Sequence, residues 1–286
     1  MRRKNRGKQT LKKKMLSILL LSAMSSILAV VIVSYMTIRM IQNDGIEESM
    51  QIYLEQITRE MDSDYYDMIG IVNQMSPDGL IGSVTERYLS SNDNYDRYLE
   101  QKFLREELIK LGYVNTKLLG ITYYDPKEQK ELIGNFNVRV LDPTYQTISK
   151  VVVGADNTIQ AMHDSYLGIK ETPVVSVMRR VSFGNQKMLD IYAEIEPDMS
   201  VSDQLNKEKW PYTYMEMDEN GIVQYSNNPV IVRGQKILSE LPKKEGHAVT
   251  NQEGYKIMVY RSTIGYANAI ALPENIYQKE MNMWRL

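Results

Sequence analysis

The feature that most constrains this 286-residue chain is an apolar stretch close to its amino end. No charged residue occurs from Met15 to Ile38. In a helix, about 20 apolar residues cover the roughly 30 Å of hydrocarbon in a bilayer. We therefore predict a transmembrane helix over residues 15–40.

A basic arm precedes this stretch and predicts its orientation. Cationic residues beside a membrane helix favour the cytoplasmic side, so residues 1–14 are expected inside the cell and residues 41–286 outside it. A cleaved signal peptide is the alternative, but its apolar core has about 7 to 15 residues and ends in small residues. The stretch from Met15 to Ile38 is longer than such a core and does not end in small residues. An uncleaved anchor in the cell membrane is predicted. The arm contains Arg2, Arg3, Lys4, Arg6, Lys8, Lys12, Lys13 and Lys14.

Composition excludes several classes of protein. The formal net charge is −2 although the arm is strongly basic, so the rest of the chain is acidic and nucleic acid is not an expected partner. There is no cysteine, which excludes disulfides and thiolate metal sites. The two histidines, His163 and His247, are far apart in sequence and are expected to lie singly on the surface. No metal and no cofactor are predicted.

A long helix is predicted over residues 41–76, directly after the membrane stretch. Apolar residues recur there every three or four positions, which marks one face of a helix, and the segment from Ser76 to Gly79 contains the proline and glycine that end it. The near-heptad spacing of the first of these residues also predicts pairing of two copies, that is, a homodimer. The stripe is Ile46, Met50, Tyr53, Ile57, Met61, Tyr65, Met68, Val72 and Met75.

Two successive sets of elements follow. The first, residues 77–197, is predicted to contain a helix, four strands and one further short helix. These elements are a helix at 94–111 ended by Gly112, strands at 117–125 and 130–136, a short helix at 158–166, and a hairpin of strands 172–183 and 187–196.

The second set, residues 198–272, begins with a linker and continues as a sheet. A final helix over 273–286 is expected to lead to a second membrane span, because Pro273 stands where proline favours a helix start. The predicted fold class is therefore α+β, with two antiparallel-sheet modules behind a long helix. The elements of this set are strands 210–218 and 221–226, a short helix at 234–241, and strands 255–261 and 266–272.

Three stretches carry a resemblance to a known family. They are the long helix, the segment DENGIVQYSNNP from Asp218 to Pro229, and the segment YANAIALPENIYQKEM from Tyr266 to Met281. Together they resemble the extracytoplasmic double Cache (dCache) sensor of YesM-like Gram-positive sensor histidine kinases. The resemblance implies a membrane-distal PAS-like module over 77–197 and a membrane-proximal one over 198–272. It also implies a small-molecule ligand, a homodimer, and a kinase beyond Leu286 that acts on a cytoplasmic response regulator.

Other functions share these features. A chemotaxis transducer or another Cache receptor could carry the same sensor, and an anchored binding or scaffold protein is a further alternative. No catalytic constellation is found, and the alternating Glu194 and Glu196 are expected to lie on a solvated strand face. Amino-acid-binding double Cache sensors carry an Arg-x-Trp pair, which neither Arg179 nor Arg180 begins, so amino-acid recognition is not implied. Sugar-related ligands are suggested by resemblance alone.

Strand parity predicts where a ligand would bind. Alternate residues of the strands at 172–183 and 187–196 separate an apolar face, suited to the long helix, from a mixed face of polar and aromatic side chains. Aromatic walls with a few charges suit small polar ligands. The alternatives are a merely hydrated face, or an ion pair between Arg180 and Asp190. The predicted ligand-binding residues are Tyr124, Tyr145, Asp164, Tyr166, Arg180, Asp190 and Tyr192.

Overall fold

The computed structural model describes residues 3–136, 156–168, 173–184, 186–197, 212–228, 230–231, 233–238, 241–242, 245–252 and 254–273. Tyr145, the linker before the second sheet and the predicted final helix after Pro273 therefore lie outside the described residues. The chain divides into two compact units, Met1–Met50 and Gln51–Leu286.

The first unit is helical. Helix α1 runs from Arg3 to Met75, and within it the segment Lys13–Ile38 is long and apolar enough to cross a membrane. None of that segment is buried, and in the part of the chain that the structure describes it is the one helix that meets this criterion. The side chains of a membrane-spanning helix face lipid, so their exposure fits the predicted anchor.

The second unit begins with the rest of α1 and two further helices, α2 (Leu80–Ser90) and α3 (Asn94–Val114). They are followed by a five-stranded antiparallel sheet, with the strand order β2-β1-β5-β4-β3. Its edges are β2 and β3. The strands are β1 (Leu118–Asp125), β2 (Lys130–Phe136), β3 (Thr158–Asp164), β4 (Pro173–Phe183) and β5 (Lys187–Ile195).

A second five-stranded antiparallel sheet follows, with the order β7-β6-β10-β9-β8. In each sheet the strand that comes last in the sequence lies at the centre, beside the strand that comes first: β5 beside β1, and β10 beside β6. This shared order gives the two modules the same architecture. The strands are β6 (Thr213–Met217), β7 (Val223–Ser226), β8 (Gly246–Gln252), β9 (Tyr255–Arg261) and β10 (Ala267–Pro273).

Helix α1 packs against both sheets of the second unit. On the first sheet, the Tyr123 hydroxyl donates a hydrogen bond to the Met75 carbonyl, and Arg179 donates to Asn73 at 3.1 Å. On the second sheet, Thr58 accepts a hydrogen bond from Asn268 at 2.9 Å. The predicted apolar stripe is confirmed as the buried face of the helix over most of its length, although Ile46 and Tyr53 are only half-buried and Leu54, which was not predicted, is buried. The buried predicted members are Met50, Ile57, Met61, Tyr65, Met68, Val72 and Met75.

Several local predictions are wrong. The segment predicted as a helix at 158–166 contains strand β3, because pairing with β4 outweighs a weak helical pattern. The described part of the predicted helix at 234–241 contains turns and a bridge between Ile222 and Lys236. Gly112 does not end α3, which continues to Val114. Helix α2 and strand β8 were not predicted.

Candidate functional site

The strand register brings predicted site residues together on one face of the first sheet. Asp190 in β5 pairs with Tyr124 on one side and with Arg180 on the other. One step along the same face, Tyr192 pairs with Thr122 and with Met178. Directly paired residues of an antiparallel sheet point to the same face. The opposite face carries Tyr123 and Arg179, which contact α1. The predicted division into an apolar and a mixed face is confirmed.

Arg180 and Asp190 form an ion pair on this mixed face. The Arg180 Nε lies 2.6 Å from the Asp190 Oδ1, and Nη2 lies 2.9 Å from Oδ2. The Asp190 side chain is fully buried, whereas the Arg180 side chain is 27% exposed. Tyr124 is also buried, and its pKa is raised by burial and by Asp190 and Asp125. The ion pair weighed as an alternative is therefore present.

Glu194 continues the same face and holds the turn that follows β3. Its two carboxylate oxygens accept hydrogen bonds from the hydroxyls of Ser165, at 2.6 Å, and Tyr192. The backbone N–H groups of Tyr166 and Leu167 also donate to it. Burial raises the pKa of Glu194, while these donors act in the opposite direction. The expectation that Glu194 is solvated is wrong, because its side chain is buried among donors.

His163 lies beside this turn, and its ring stacks on the ring of Tyr166. Its Nδ1 is 2.6 Å from the Asp164 carbonyl and its Nε2 is 2.8 Å from the Ser176 hydroxyl. A carbonyl only accepts hydrogen bonds, so Nδ1 carries the proton and Nε2 accepts from Ser176. Burial lowers the pKa of His163 to about 4, which leaves the ring neutral at pH 7. The predicted surface location is wrong for His163; His247 is exposed.

Tyr166 forms an aromatic bridge from this turn to the mixed face. Its ring stacks on His163 with centroids 4.3 Å apart, and it lies 6.0 Å from the ring of Tyr192. Asp164, at the end of β3, is exposed. The structure thus groups five of the predicted side chains on or beside one face and leaves Asp164 at its rim, while Tyr145 lies outside the described residues. The grouped residues are Tyr124, Tyr166, Arg180, Asp190 and Tyr192.

Three buried polar residues of this region were missed as site residues: His163, Ser176 and Glu194. Strand parity was the available signal for two of them, because Ser176 and Glu194 pair directly and share the face of Tyr192. Nothing in the sequence pattern marks His163, which lies just beyond an irregularity in the pairing of β3 with β4.

Helix α1 is joined to the second sheet by buried and part-buried polar contacts. Asp62 accepts hydrogen bonds from Ser262 at 2.5 Å and from Tyr266 at 2.9 Å. Asn268 of β10 donates a hydrogen bond to Thr58 of α1 at 2.9 Å. The same helix also contacts the apolar face of the first sheet, so α1 is in contact with both sheets.

The described residues also line cavities away from the mixed face. The second sheet has a cavity of about 240 Å³ on the face opposite α1, lined by Asn228, Gln235, Lys236, Tyr255 and apolar residues. A cavity of about 340 Å³ lies between the two sheets, beside Tyr65, Gln160 and Met217. Within the described ranges, no three His, Asp or Glu side chains are grouped to hold a metal ion.

Comparisons with known proteins bear on the fold. No protein-family model matches the chain, and no curated protein matches it in sequence. Among solved structures, it is similar to the periplasmic sensory domain of the Campylobacter jejuni chemoreceptor Tlp1, with a TM-score of 0.53 and 13% identity over 82% of this chain and 98% of that one. At this identity the likeness concerns the fold.

Weaker similarities reach sensor domains of other receptors. The V. cholerae histidine kinase DctB sensor domain has a TM-score of 0.48 and 13% identity over 81% of this chain and 98% of that one. The ligand-binding domain of Mlp24, solved with asparagine, has a TM-score of 0.45 and 14% identity over 82% of this chain and 98% of that one. The predicted fold class, α+β with two antiparallel-sheet modules behind a long helix, is confirmed.

Proposed function

We propose that this chain is the membrane-anchored, extracellular ligand-sensing region of a bacterial signal-transduction receptor. The receptor is a two-component sensor histidine kinase of the YesM-like type, whose output domain would follow the second membrane span. Residues 77–197 form the membrane-distal module and residues 198–272 the membrane-proximal one. The partners are a small-molecule ligand, the lipid bilayer and a second copy of the chain. A response regulator would be reached only through the kinase.

The observation that carries this proposal is the mixed face of the first sheet. It combines the buried tyrosines Tyr124 and Tyr192 with the charges of Arg180 and Asp190, on the side opposite α1. Aromatic surfaces with a few fixed polar groups are typical of sites for small polar ligands. Asp164 belongs to the proposed site as its rim, and Tyr145, which lies outside the described residues, is included from the sequence alone.

The helix α1 supplies a route for the signal. It contacts the apolar face of the first sheet through Met75 and the second sheet through Asp62. A ligand that binds one arrangement of the first sheet more tightly than another would shift the helix toward the favoured arrangement. Displacements of about 1–2 Å at packed helix interfaces are an established mode of switching.

A chemoreceptor is the second candidate, and the fold likeness to the Tlp1 sensory domain favours it. Both functions require the same ligand site and differ only in the output domain. Sequencing of the gene beyond the codon for Leu286 distinguishes a kinase from a chemotaxis signalling domain, and a stop codon there would favour an anchored scaffold.

The ligand site can be tested with the full chain in lipid nanodiscs. A library of sugars, organic acids and amino acids is screened by thermal shift, and each compound that raises the Tm is titrated by calorimetry. At a ligand concentration of 100 Kd, binding should stabilise the chain by about 2.7 kcal/mol. Tyr124→Phe should weaken the binding about five- to tenfold through the loss of one hydroxyl.

Tyr255→Phe is the matched control, because Tyr255 lines the cavity of the second sheet and is 39% exposed. It should leave the affinity unchanged. Binding that is weakened by Tyr255→Phe and not by Tyr124→Phe would contradict the proposed site.

A further inference from the structure

Glu216 is a buried acid at the junction of the two sheets. It lies in β6, where it pairs with Tyr225 of β7 and Asn268 of β10. Its side chain has no exposed surface. The junction itself is formed by β3, an edge strand of the first sheet, which contacts β6 and β7 of the second sheet.

One hydrogen bond of Glu216 crosses from the second sheet to the first. Its Oε2 accepts a hydrogen bond from the Met162 N–H at 2.5 Å. Met162 lies within the irregularity of β3, between Gln160 and His163, where neither Ala161 nor Met162 has a paired residue on β4. The carboxylate therefore takes the place of a strand partner, and an unpaired backbone group is satisfied from the other sheet.

The second oxygen of the carboxylate is not satisfied. Oε1 is buried and has no hydrogen-bond partner among the described residues. An ionised carboxylate that is removed from water needs several donors or a cation, and Glu216 has one backbone N–H. A cavity of about 340 Å³ between the sheets is lined by Ala161 and Met217, the neighbours of Met162 and Glu216 in sequence, and it is large enough to hold water.

The surroundings of Glu216 contain no compensating cation in the part of the chain that the structure describes. Four tyrosines face it from the elements packed around it, and the other charged groups that act on these tyrosines, Asp62, Asp64 and Asp164, are acidic. Arg233 acts on His163 and Tyr166 instead. Burial raises the pKa of Glu216 to about 7. The four are Tyr65 of α1, Tyr214 of β6, Tyr225 of β7 and Tyr266 before β10.

We propose that Glu216 makes the junction between the two sheets a proton-sensitive latch, which is closed while the carboxyl group is protonated and opens when it ionises. The closed junction binds the proton more tightly than an open, hydrated one, so acidification favours the closed state and a rise of pH favours opening. In the closed state His163 is neutral between pH 6 and 8.

The latch does not need a ligand in order to open or close. Strand β3 nevertheless connects it to the proposed ligand site. Strand β3 leads from Met162 through His163 into the turn that Glu194 holds on the mixed face. Opening of the junction would release β3 at Met162, which lies three residues before Ser165 at the start of this turn. The pH outside the membrane would thereby bias the arrangement that a ligand meets.

Amide hydrogen exchange of the full chain in nanodiscs tests the latch. The protection of the β3 segment, residues 158–164, is measured by mass spectrometry at pH 6 and pH 8 and corrected for the intrinsic rate at each pH. Opening linked to one proton should lower the protection about tenfold between these values. Strand β1 is the internal reference, and its protection should not change. Equal protection of β3 at the two pH values would overturn the proposal.

Two variants separate Glu216 from other acids. Glu216→Gln keeps an oxygen for the Met162 N–H but cannot ionise, so its β3 protection should be independent of pH. Glu219→Gln removes an exposed acid three residues away and should retain the tenfold change. An unaltered pH response in Glu216→Gln would contradict the proposal. If that variant fails to fold, the comparison of β3 with β1 in the wild type still decides.

Discussion

Arg180 and Asp190 face each other across β4 and β5 as a two-pronged ion pair, with contacts of 2.6 and 2.9 Å. Asp190 is fully buried, so the guanidinium group is the counter-charge that allows its carboxylate to remain inside the protein. Both residues were predicted to bind a ligand. The geometry gives Arg180 a structural role in addition, and any ligand would meet a charge pair that is already formed.

Arg180→Gln should therefore destabilise the protein, by about 3 kcal/mol, because it leaves the Asp190 carboxylate buried without its cation. The double variant Arg180→Gln, Asp190→Asn removes both charges and should recover part of this loss. Chemical denaturation of the full chain in detergent measures both. A single variant as stable as the double variant would show that the pair does not neutralise a buried charge.

Glu194→Ala should release the turn after β3. The substitution removes the acceptor of two hydroxyls, Ser165 and Tyr192, and of the Tyr166 and Leu167 N–H groups. Unsatisfied buried donors are costly, and the expected loss of stability is about 3 kcal/mol. Glu194→Gln retains one acceptor oxygen and should lose less. The Tm of each variant is compared with that of Glu196→Ala, an exposed acid two residues away, which should remain near the wild-type value.

His163 should make stability depend on pH in the acid range. Its folded-state pKa of about 4 lies below the ordinary value of 6.5, so the folded state binds the proton less tightly than the unfolded chain. The stability that this shift contributes is complete above pH 6.5 and is lost as the pH falls toward 4.

Between pH 6.5 and 4.5 this loss amounts to about 2 kcal/mol. The raised pKa of Glu216 acts in the opposite direction over much of the same range, so the two effects partly cancel in the wild type. His163→Asn should consequently become more stable, relative to its value at pH 6.5, as the pH falls. Denaturation at both pH values measures the change, and an identical pH profile for wild type and variant would refute the burial of a neutral His163.

Two glycines in helices should respond oppositely to alanine. At Gly82 in α2, a Cβ would lie 1.8 Å from the Ser76 carbonyl oxygen, so Gly82→Ala should cost roughly 2 kcal/mol or more. At Gly70 in α1 a Cβ would meet nothing within 4 Å, and Gly70→Ala should stabilise by about 0.5–1 kcal/mol because alanine favours helix. Thermal unfolding of the two variants tests the packing of α2 against the end of α1.

The faces of helices and strands on which apolar residues recur at a regular spacing were predictable from the sequence. The buried stripe of α1 repeats every three or four residues, and the two faces of β4 and β5 alternate with a period of two. Once the hairpin is recognised, parity alone brings Asp190 and Tyr192 to one face. The stop of α1 at Met75 was predictable because Pro77 and Gly79 follow it.

Two of the four edge strands in the described sheets were not predictable in the same way. Strands β3 and β8 lie at the edges of their sheets, and β8 is rich in polar residues, so each lacks the alternation of a half-buried strand. The roles of Glu194 and Glu216 were also hidden. Their partners, Ser165 and Met162, are remote in sequence and are brought close only when the strands assemble.

The location of both sheets outside the cell is the claim on which the sensor function depends, and cysteine labelling tests it most directly. The chain has no cysteine, so a single one at exposed Gln129 or Asn251 reports only its own position. A membrane-impermeant maleimide applied to intact cells should label both positions, and should label a cysteine at Lys8 only after permeabilisation. Labelling of Lys8→Cys in intact cells, with Gln129→Cys and Asn251→Cys protected, would contradict an extracellular sensor.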